Sequence, residues 1–368
     1  MLLLGIETSC DETAASVVRD GVCVLSSVIA SQHEIHEQYA GVVPELASRA
    51  HMERLEPVIA GALEQAGVTL AEIDAFAVGS RPGLVGSLLI GVNGAKALAW
   101  ATRRPLVAVD HVHAHLYAGI LHEPHHRHHP HDPAPTDEIL FPALGLVVSG
   151  GHTSLYLLRD WLRLERLGAT IDDALGEAYD KVATILGLPY PGGPNLDRLA
   201  QSPGASDRIA DLPLSRLSPT SLDFSFSGLK TAVLYEVRGA PAHPAHKRPD
   251  SRYIPPPPMD DERRRDLAAT FQRAACRAIT LKLERALEQT AARGITVRSL
   301  LAGGGVTANS RLRAELQRLA SDRSLRLALP PLRWCVDNAA MIGGLGHRFA
   351  AAGQFADLSL QPTPTTLC

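Results

Sequence analysis

Two histidines one helical turn apart, His111 and His115 in Asp110-His111-Val112-His113-Ala114-His115, are the sharpest chemical signal in the chain. They follow Leu106 to Val109, an apolar run that reads as a strand. If the chain turns helical there, both imidazoles share a face and could bind one divalent metal, while His113 points away. A third ligand, expected to be a carboxylate, has to come from elsewhere. His-x-x-x-His is a common spacing, so a pair of core or surface histidines is the plain alternative. A zinc protease is excluded, because Val112 stands where the general-base glutamate of His-Glu-x-x-His is required.

Small polar turns add a second chemistry. Leu4-Gly5-Ile6-Glu7-Thr8-Ser9 leads through a polar turn into the apolar run Ala14 to Val18. Leu144 to Val148 leads through Ser149-Gly150-Gly151-His152-Thr153 into Ser154 to Leu158. Both halves therefore open as strand, small polar loop, strand, which points to a duplicated domain. Two lobes that each present such a turn to a cleft make the architecture of actin-like ATPases and sugar kinases, where the turns hold nucleotide phosphates. Two ordinary hairpins are the alternative. The strand Arg298 to Leu301 runs into Ala302-Gly303-Gly304-Gly305, and a helix is expected from Ala308-Asn309 to about Leu319. A glycine loop between strand and helix N-terminus suits an anion or nucleotide.

The elements that would position these residues alternate along the chain. Strands are expected at Leu2 to Ile6, Ala14 to Val18 and Val22 to Ile29, the last two joined by a type I′ turn at Asp20-Gly21. Helices are expected at Pro44 to Ala66 and Ser87 to Thr102, with strands at Ala75 to Gly79 and Leu106 to Val109. The fold class is α/β: a duplicated, two-lobed actin-like ATPase/sugar kinase (ribonuclease H-like) fold with a central cleft. The lobes are expected over 1–138 and 139–368, with a histidine-rich insertion at 122–137 and a proline-rich one at 240–259.

Composition narrows the function. A length of 368 residues suits two domains, and a net charge of −3 excludes nucleic-acid binding through bulk positive charge. Local patches or partner proteins would have to hold any nucleic acid. The five cysteines are scattered without a Cys-x-x-Cys pair, which fits a reducing cytoplasm better than a disulfide framework. The apolar start, Met1 to Ile6, stops at Glu7, too short for a signal peptide, and no later stretch reaches membrane-spanning length. A cytoplasmic protein without a membrane segment is expected.

Several blocks resemble the TsaD family in that family's order. They are Gly5-Ile6-Glu7-Thr8-Ser9-Cys10-Asp11-Glu12-Thr13, Gly41-Val42-Val43-Pro44-Glu45-Leu46-Ala47-Ser48-Arg49 and Pro82-Gly83-Leu84-Val85-Gly86. Val148-Ser149-Gly150-Gly151-His152-Thr153, Tyr190-Pro191-Gly192-Gly193-Pro194, Asp223 to Thr231 and Ala302-Gly303-Gly304-Gly305-Val306 continue the likeness over nearly the whole chain. The resemblance implies transfer of a threonylcarbamoyl group from threonylcarbamoyl-AMP to N6 of the adenosine 3′ of the anticodon, in tRNAs reading codons that begin with A. It implies one divalent metal ion per chain, iron before zinc, on His111, His115 and Asp337, the last in Cys335-Val336-Asp337-Asn338. Asp337 alone would pass as a helix N-cap. Over the adenylate it places Val147, Val148, Ser149, Gly150, Gly151, Asp180, Gly193 and Asn309.

The amine of adenine is a poor nucleophile that must lose a proton, and Asp11 and Glu12 on the first turn are the candidates to take it or to orient the substrate. Asp180 could accept ribose hydroxyls, with an ion pair to Lys181 as the plain alternative, and Lys230 could meet phosphate or be an ordinary surface lysine. The expected partners are tRNA, a TsaB-like homologue and a TsaE-like ATPase. Arg81, in Ser80-Arg81-Pro82-Gly83, stands where the family usually has a small residue, and the two insertions are further departures. A kinase or ATPase of the same fold is the rival reading, but phosphoryl transfer generally uses magnesium on oxygen ligands and has no need of the histidine pair. A non-catalytic scaffold for tRNA-modifying proteins is the other.

Overall fold

The computed structural model describes residues 1–37, 39, 41–124, 139–214, 217–239 and 258–366. The histidine tract from His125 to His131 and residues 240–257 of the proline-rich segment lie outside them. The first sheet has the order β3-β2-β1-β4-β5. Its strands are β1 (Leu2–Glu7), β2 (Glu12–Arg19), β3 (Cys23–Ser31), β4 (Ala75–Arg81) and β5 (Leu106–Asp110). The β1/β2 and β2/β3 pairs are antiparallel, and the β1/β4 and β4/β5 pairs are parallel. Asp20 and Gly21, at the β2–β3 turn, both adopt left-handed backbone (φ 52° and 77°), as the Asp-Gly pair demands.

The second sheet repeats this plan. β6 (Ala143–Val148), β7 (Thr153–Asp160), β8 (Arg163–Ala169), β9 (Ser299–Gly303) and β10 (Arg326–Ala328) take the order β8-β7-β6-β9-β10. Antiparallel and parallel pairs fall at the same places. The duplication extends through five strands, and it is the plan of the actin-like ATPases and sugar kinases.

Helices cover both faces of each sheet, so the inner strands are buried on both sides and read as near-continuous apolar runs. In the first lobe, α2 (Pro44–Ala66) and α3 (Val85–Thr102) pack on the face carrying Leu4, Ile6, Phe76 and Val78. A short α1 spans His33–Glu37. The opposite face, with Leu3, Ala77, Val107 and Val109, is covered by α4 (His111–Tyr117) and by α10 (Ala339–Ala351). Thus α10, expected with the second lobe over 139–368, packs on the first. Beyond it, Ala356 bridges to Leu106 and Thr363 N–H bonds Ser80 carbonyl.

The second lobe is built around α8 (Asp261–Ala292), whose side chains from Leu267 to Ala286 enter the core with α5 (Leu175–Ile185), α6 (Gly192–Ala200), α7 (Ser227–Arg238) and α9 (Ser310–Asp322). The helix expected from Ala308-Asn309 begins at Ser310, because a 3₁₀ turn over Gly305–Ala308 intervenes and Asn309 caps α9. Among the described residues no helix is long and apolar enough to cross a membrane.

Candidate functional site

The metal-capable cluster is set by helix caps. Asp110, at the end of β5, turns its carboxylate onto the N–H groups of Val112 and His113 at 3.0 and 3.2 Å. This starts α4 immediately and puts His111 and His115 on one face, ring centroids 4.7 Å apart. Gly303 on β9 lets α4 approach, since a Cβ there would collide with the His115 carbonyl. Asp337 precedes α10, but the N-cap is Asn338, whose Oδ1 accepts Met341 N–H at 2.9 Å. The Asp337 carboxylate is left to face the histidines. Its Oδ1 lies 3.5 Å from His111 Nε2 and 3.2 Å from His115 Nε2.

These donors fit a divalent cation. Metal–ligand bonds of about 2.0–2.2 Å separate neighbouring donor atoms by roughly 3–3.5 Å at tetrahedral or octahedral angles. One donor atom from each of the three side chains falls within 4.8 Å of the others. Both histidines are buried, and neither ring nitrogen of His115 has a hydrogen bond of good geometry among the described residues. Burial alone would lower the pKa of His111, but the carboxylates of Glu7 and Asp337 outweigh it and hold the ring well above the usual histidine value. Asp337, despite its burial, is held well below the carboxylate range by His111 and then His115. Burial and the charge of His111 lower His115 against the pull of Asp337.

Beside this cluster a cavity of about 800 Å³ opens in the second lobe, bordered by Gly150, Asp180, Gly193, Asn309 and Val336 among others. The turn at its head is closed by Ser149 N–H to the His152 carbonyl at 2.8 Å and His152 N–H to Ser149 Oγ at 3.1 Å. Gly150 and Gly151 stand exposed with no atom where a Cβ would go. Val147 and Val148 are buried strand residues and are not among the residues that line this cavity. Asp180 Oδ1 accepts Gly193 N–H at 3.0 Å, and burial, partly offset by that bond, raises its pKa. Asn309 is committed inward, capping Leu312 N–H and donating to Gln272 Oε1, both at 2.9 Å.

Asp11 and Glu12 lie on the opposing turn, both half-buried. Without a metal, burial and then the charges of Asp337 and Asp11 push Glu12 up to about 9. A cation on Asp337 opposes that shift. Lys181 pairs with Asp173 and Glu177 at 2.8 Å, not with Asp180, and Lys230 pairs with Asp173 at 3.0 Å. Three residues near the site were not singled out from the sequence: Glu7, Tyr179 and His152. Tyr179 lines the cavity, and burial and then the histidine charges lower His152 to about 4. Only Glu7 left a signal, a charge closing a buried apolar strand.

Fold and site together define a class: a two-lobed actin-like protein with a nucleotide-sized cleft and a metal-capable centre at the lobe junction. The TsaD family model, described as tRNA N6-adenosine threonylcarbamoyltransferase, matches residues 23–344, and the chain belongs to that family. The tRNA N6-adenosine threonylcarbamoyltransferase of Trichlorobacter lovleyi is 47% identical over 365 residues, which cover 99% of this chain and 96% of that protein. That of Symbiobacterium thermophilum is 46% identical over 364 residues, with 99% and 96% covered. Among solved structures, component A of (R)-2-hydroxyglutaryl-CoA dehydratase from Acidaminococcus fermentans is similar, with a TM-score of 0.48 at 14% identity over 95% of this chain and 99% of that one.

Proposed function

We propose that the cleft transfers the threonylcarbamoyl group of threonylcarbamoyl-AMP to N6 of the adenosine 3′ of the anticodon in tRNAs reading codons that begin with A. Beyond family membership, one observation carries the reading. Val336 lines the wall of the cavity, and the residue after it in the chain is Asp337, whose carboxylate meets both histidines. In the reaction N6 attacks the carbamoyl carbon, the bond to the phosphate oxygen breaks, AMP departs and N6 loses a proton. The adenylate is a good leaving group, so orientation of the amine and removal of its proton are what the protein must supply.

His111, His115 and Asp337 would hold one divalent metal, iron in preference to zinc, whose Lewis acidity would polarise the carbonyl and offset phosphate charge. The open N–H groups of Gly150 and Gly151 suit phosphate oxygens. The carboxylate of Asp180, anchored by the Gly193 N–H and lining the cavity, would accept a ribose hydroxyl, with Gly193 against the nucleoside. Val147 and Val148 support the turn, and Asn309 shapes the wall as the cap of α9. Asp11 and Glu12 are the candidates to accept the proton from N6 or to orient the substrate. A net charge of −3 gives the chain little general attraction for tRNA, and a TsaB-like homologue and a TsaE-like ATPase are the proposed helpers in the cytoplasm.

Wild type, His111→Ala and Asp337→Ala, each with those helpers, target tRNA and threonylcarbamoyl-AMP, should be compared by mass spectrometry of the digested tRNA. Wild type should give the modified nucleoside and either variant at most about a hundredth of it, the loss of a few kcal/mol of transition-state stabilisation. Undiminished product in the variants removes the metal from the reaction. No product from wild type, with helpers proven on a relative, removes the transfer itself.

A further inference from the structure

The two histidines are supported unequally. His115 Nδ1 has no hydrogen-bond partner among the described residues, whereas His111 Nδ1 is hydrogen-bonded with Ser9 Oγ at 3.2 Å and lies within ion-pair distance, 3.1 Å, of Glu7 Oε2. Glu7 closes β1 and is fully buried. A carboxylate taken out of water is costly unless its oxygens are paired. Oε1 is paired, accepting Ser9 N–H at 2.5 Å. Among the described residues Oε2 makes no hydrogen bond of good geometry, and the charge it faces is the imidazole of His111 at 3.1 Å. Space for it is built into β4, where a Cβ on Gly79 would run into Oε2. An acid whose only task was to hold the turn would need Oε1 alone.

Resting on the metal role argued above, we propose that Glu7 is a positioning residue of the metal centre: its carboxylate, 3.1 Å from Nδ1 and beside the Ser9 hydroxyl that bonds it, holds the proton on Nδ1 and so fixes the tautomer whose Nε2 lone pair faces the metal. Metal-binding imidazoles characteristically give their second N–H to a carboxylate, carbonyl or water, which sets ring orientation and raises ligand basicity. Here one side chain does this and also fixes the start of the turn that carries Asp11 and Glu12. The ligand and the turn thus share a single anchor.

The test uses the full chain with zinc(II) or cobalt(II) alone as probe. Glu7→Gln should weaken binding about 10- to 100-fold in chelator competition, the usual cost of losing such a partner, with the circular dichroism spectrum unchanged. Glu7→Asp should recover part of the affinity. In zinc-loaded wild type, ¹⁵N NMR of the histidine rings should find His111 protonated at Nδ1 and bound through Nε2. Binding by Glu7→Gln within twofold of wild type, or a His111 bound through Nδ1, overturns the proposal and leaves the metal reading standing. If Glu7→Gln does not fold, the wild-type ring spectrum decides. A wild type that holds neither metal overturns the metal reading and this inference with it.

Discussion

Each lobe meets the cleft with the same element, the turn between its first two strands, and the two turns are loaded in opposite ways. In the first lobe the segment from Glu7 to Glu12 carries three carboxylates and is tied by Glu7 to the Ser9 N–H and to His111. In the second, Ser149-Gly150-Gly151-His152 has no acid and is closed by its own backbone and one hydroxyl. Carboxylates crowded beside a histidine pair favour a cation, whereas bare glycine N–H groups favour an anion. The duplicated fold supplies two equivalent positions, and side-chain chemistry suits one to a cation and the other to an anion.

If that division is real, the two sides can be broken separately. The largest effect is expected for His115→Ala: zinc retained after dialysis should fall from about one per chain to none, with the affinity for AMP changed less than about threefold, or 0.6 kcal/mol. A parallel loss of AMP binding would erase the distinction between the turns. Next is Gly150→Val, whose side chain enters open cleft; the Kd for AMP should rise about tenfold, about 1.4 kcal/mol, with zinc binding untouched.

A smaller effect belongs to Glu12. Its folded pKa lies near 9 and its unfolded one near the ordinary glutamate value, so between the two pH values the unfolded chain releases a proton that the folded chain keeps. Stability therefore declines as pH rises across that window. In chelator-treated protein, Glu12→Gln should melt above wild type at pH 8, and the gap should close at pH 5. Equal melting at both would mean that the turn is less buried than it stands here. The smallest is Ser149→Ala, which removes the hydroxyl bonded to His152 N–H; about 1 kcal/mol should be lost in urea unfolding, with little change in zinc affinity.

What the sequence made readable follows the range of the physics involved. The β2–β3 hairpin, α2 with Pro44 at its start and left-handed Gly67 at its end, and the His111–His115 spacing each depend on residues a few positions apart. They could be read directly. Helix α9 starts about two residues later than the sequence pattern suggests, because the glycine loop winds into a 3₁₀ turn before Asn309 caps the helix. Asp337 was reached only through the family resemblance, since nothing local distinguishes it from the cap that Asn338 turned out to be. The packing of α10 on the first sheet and the pairing of Glu7 with His111 join residues roughly a hundred or more positions apart, and no local pattern carries such information.

The placement of α4 has a mechanical corollary. Ala114, Tyr117 and Ala118 press against the first lobe, while Val112 and Leu116 press against the second sheet beside Ala143 and Leu301. The chain passes from one lobe to the other beyond this helix and again at Asp337, just ahead of α10. Any rocking of the halves therefore turns about a line close to the histidines. Displacement grows with distance from an axle: atoms at Gly150 or Asp180 would swing through an arc while those at His111 and His115 barely shift. Such rocking would open and close the cleft while His111, His115 and Asp337 stay in register.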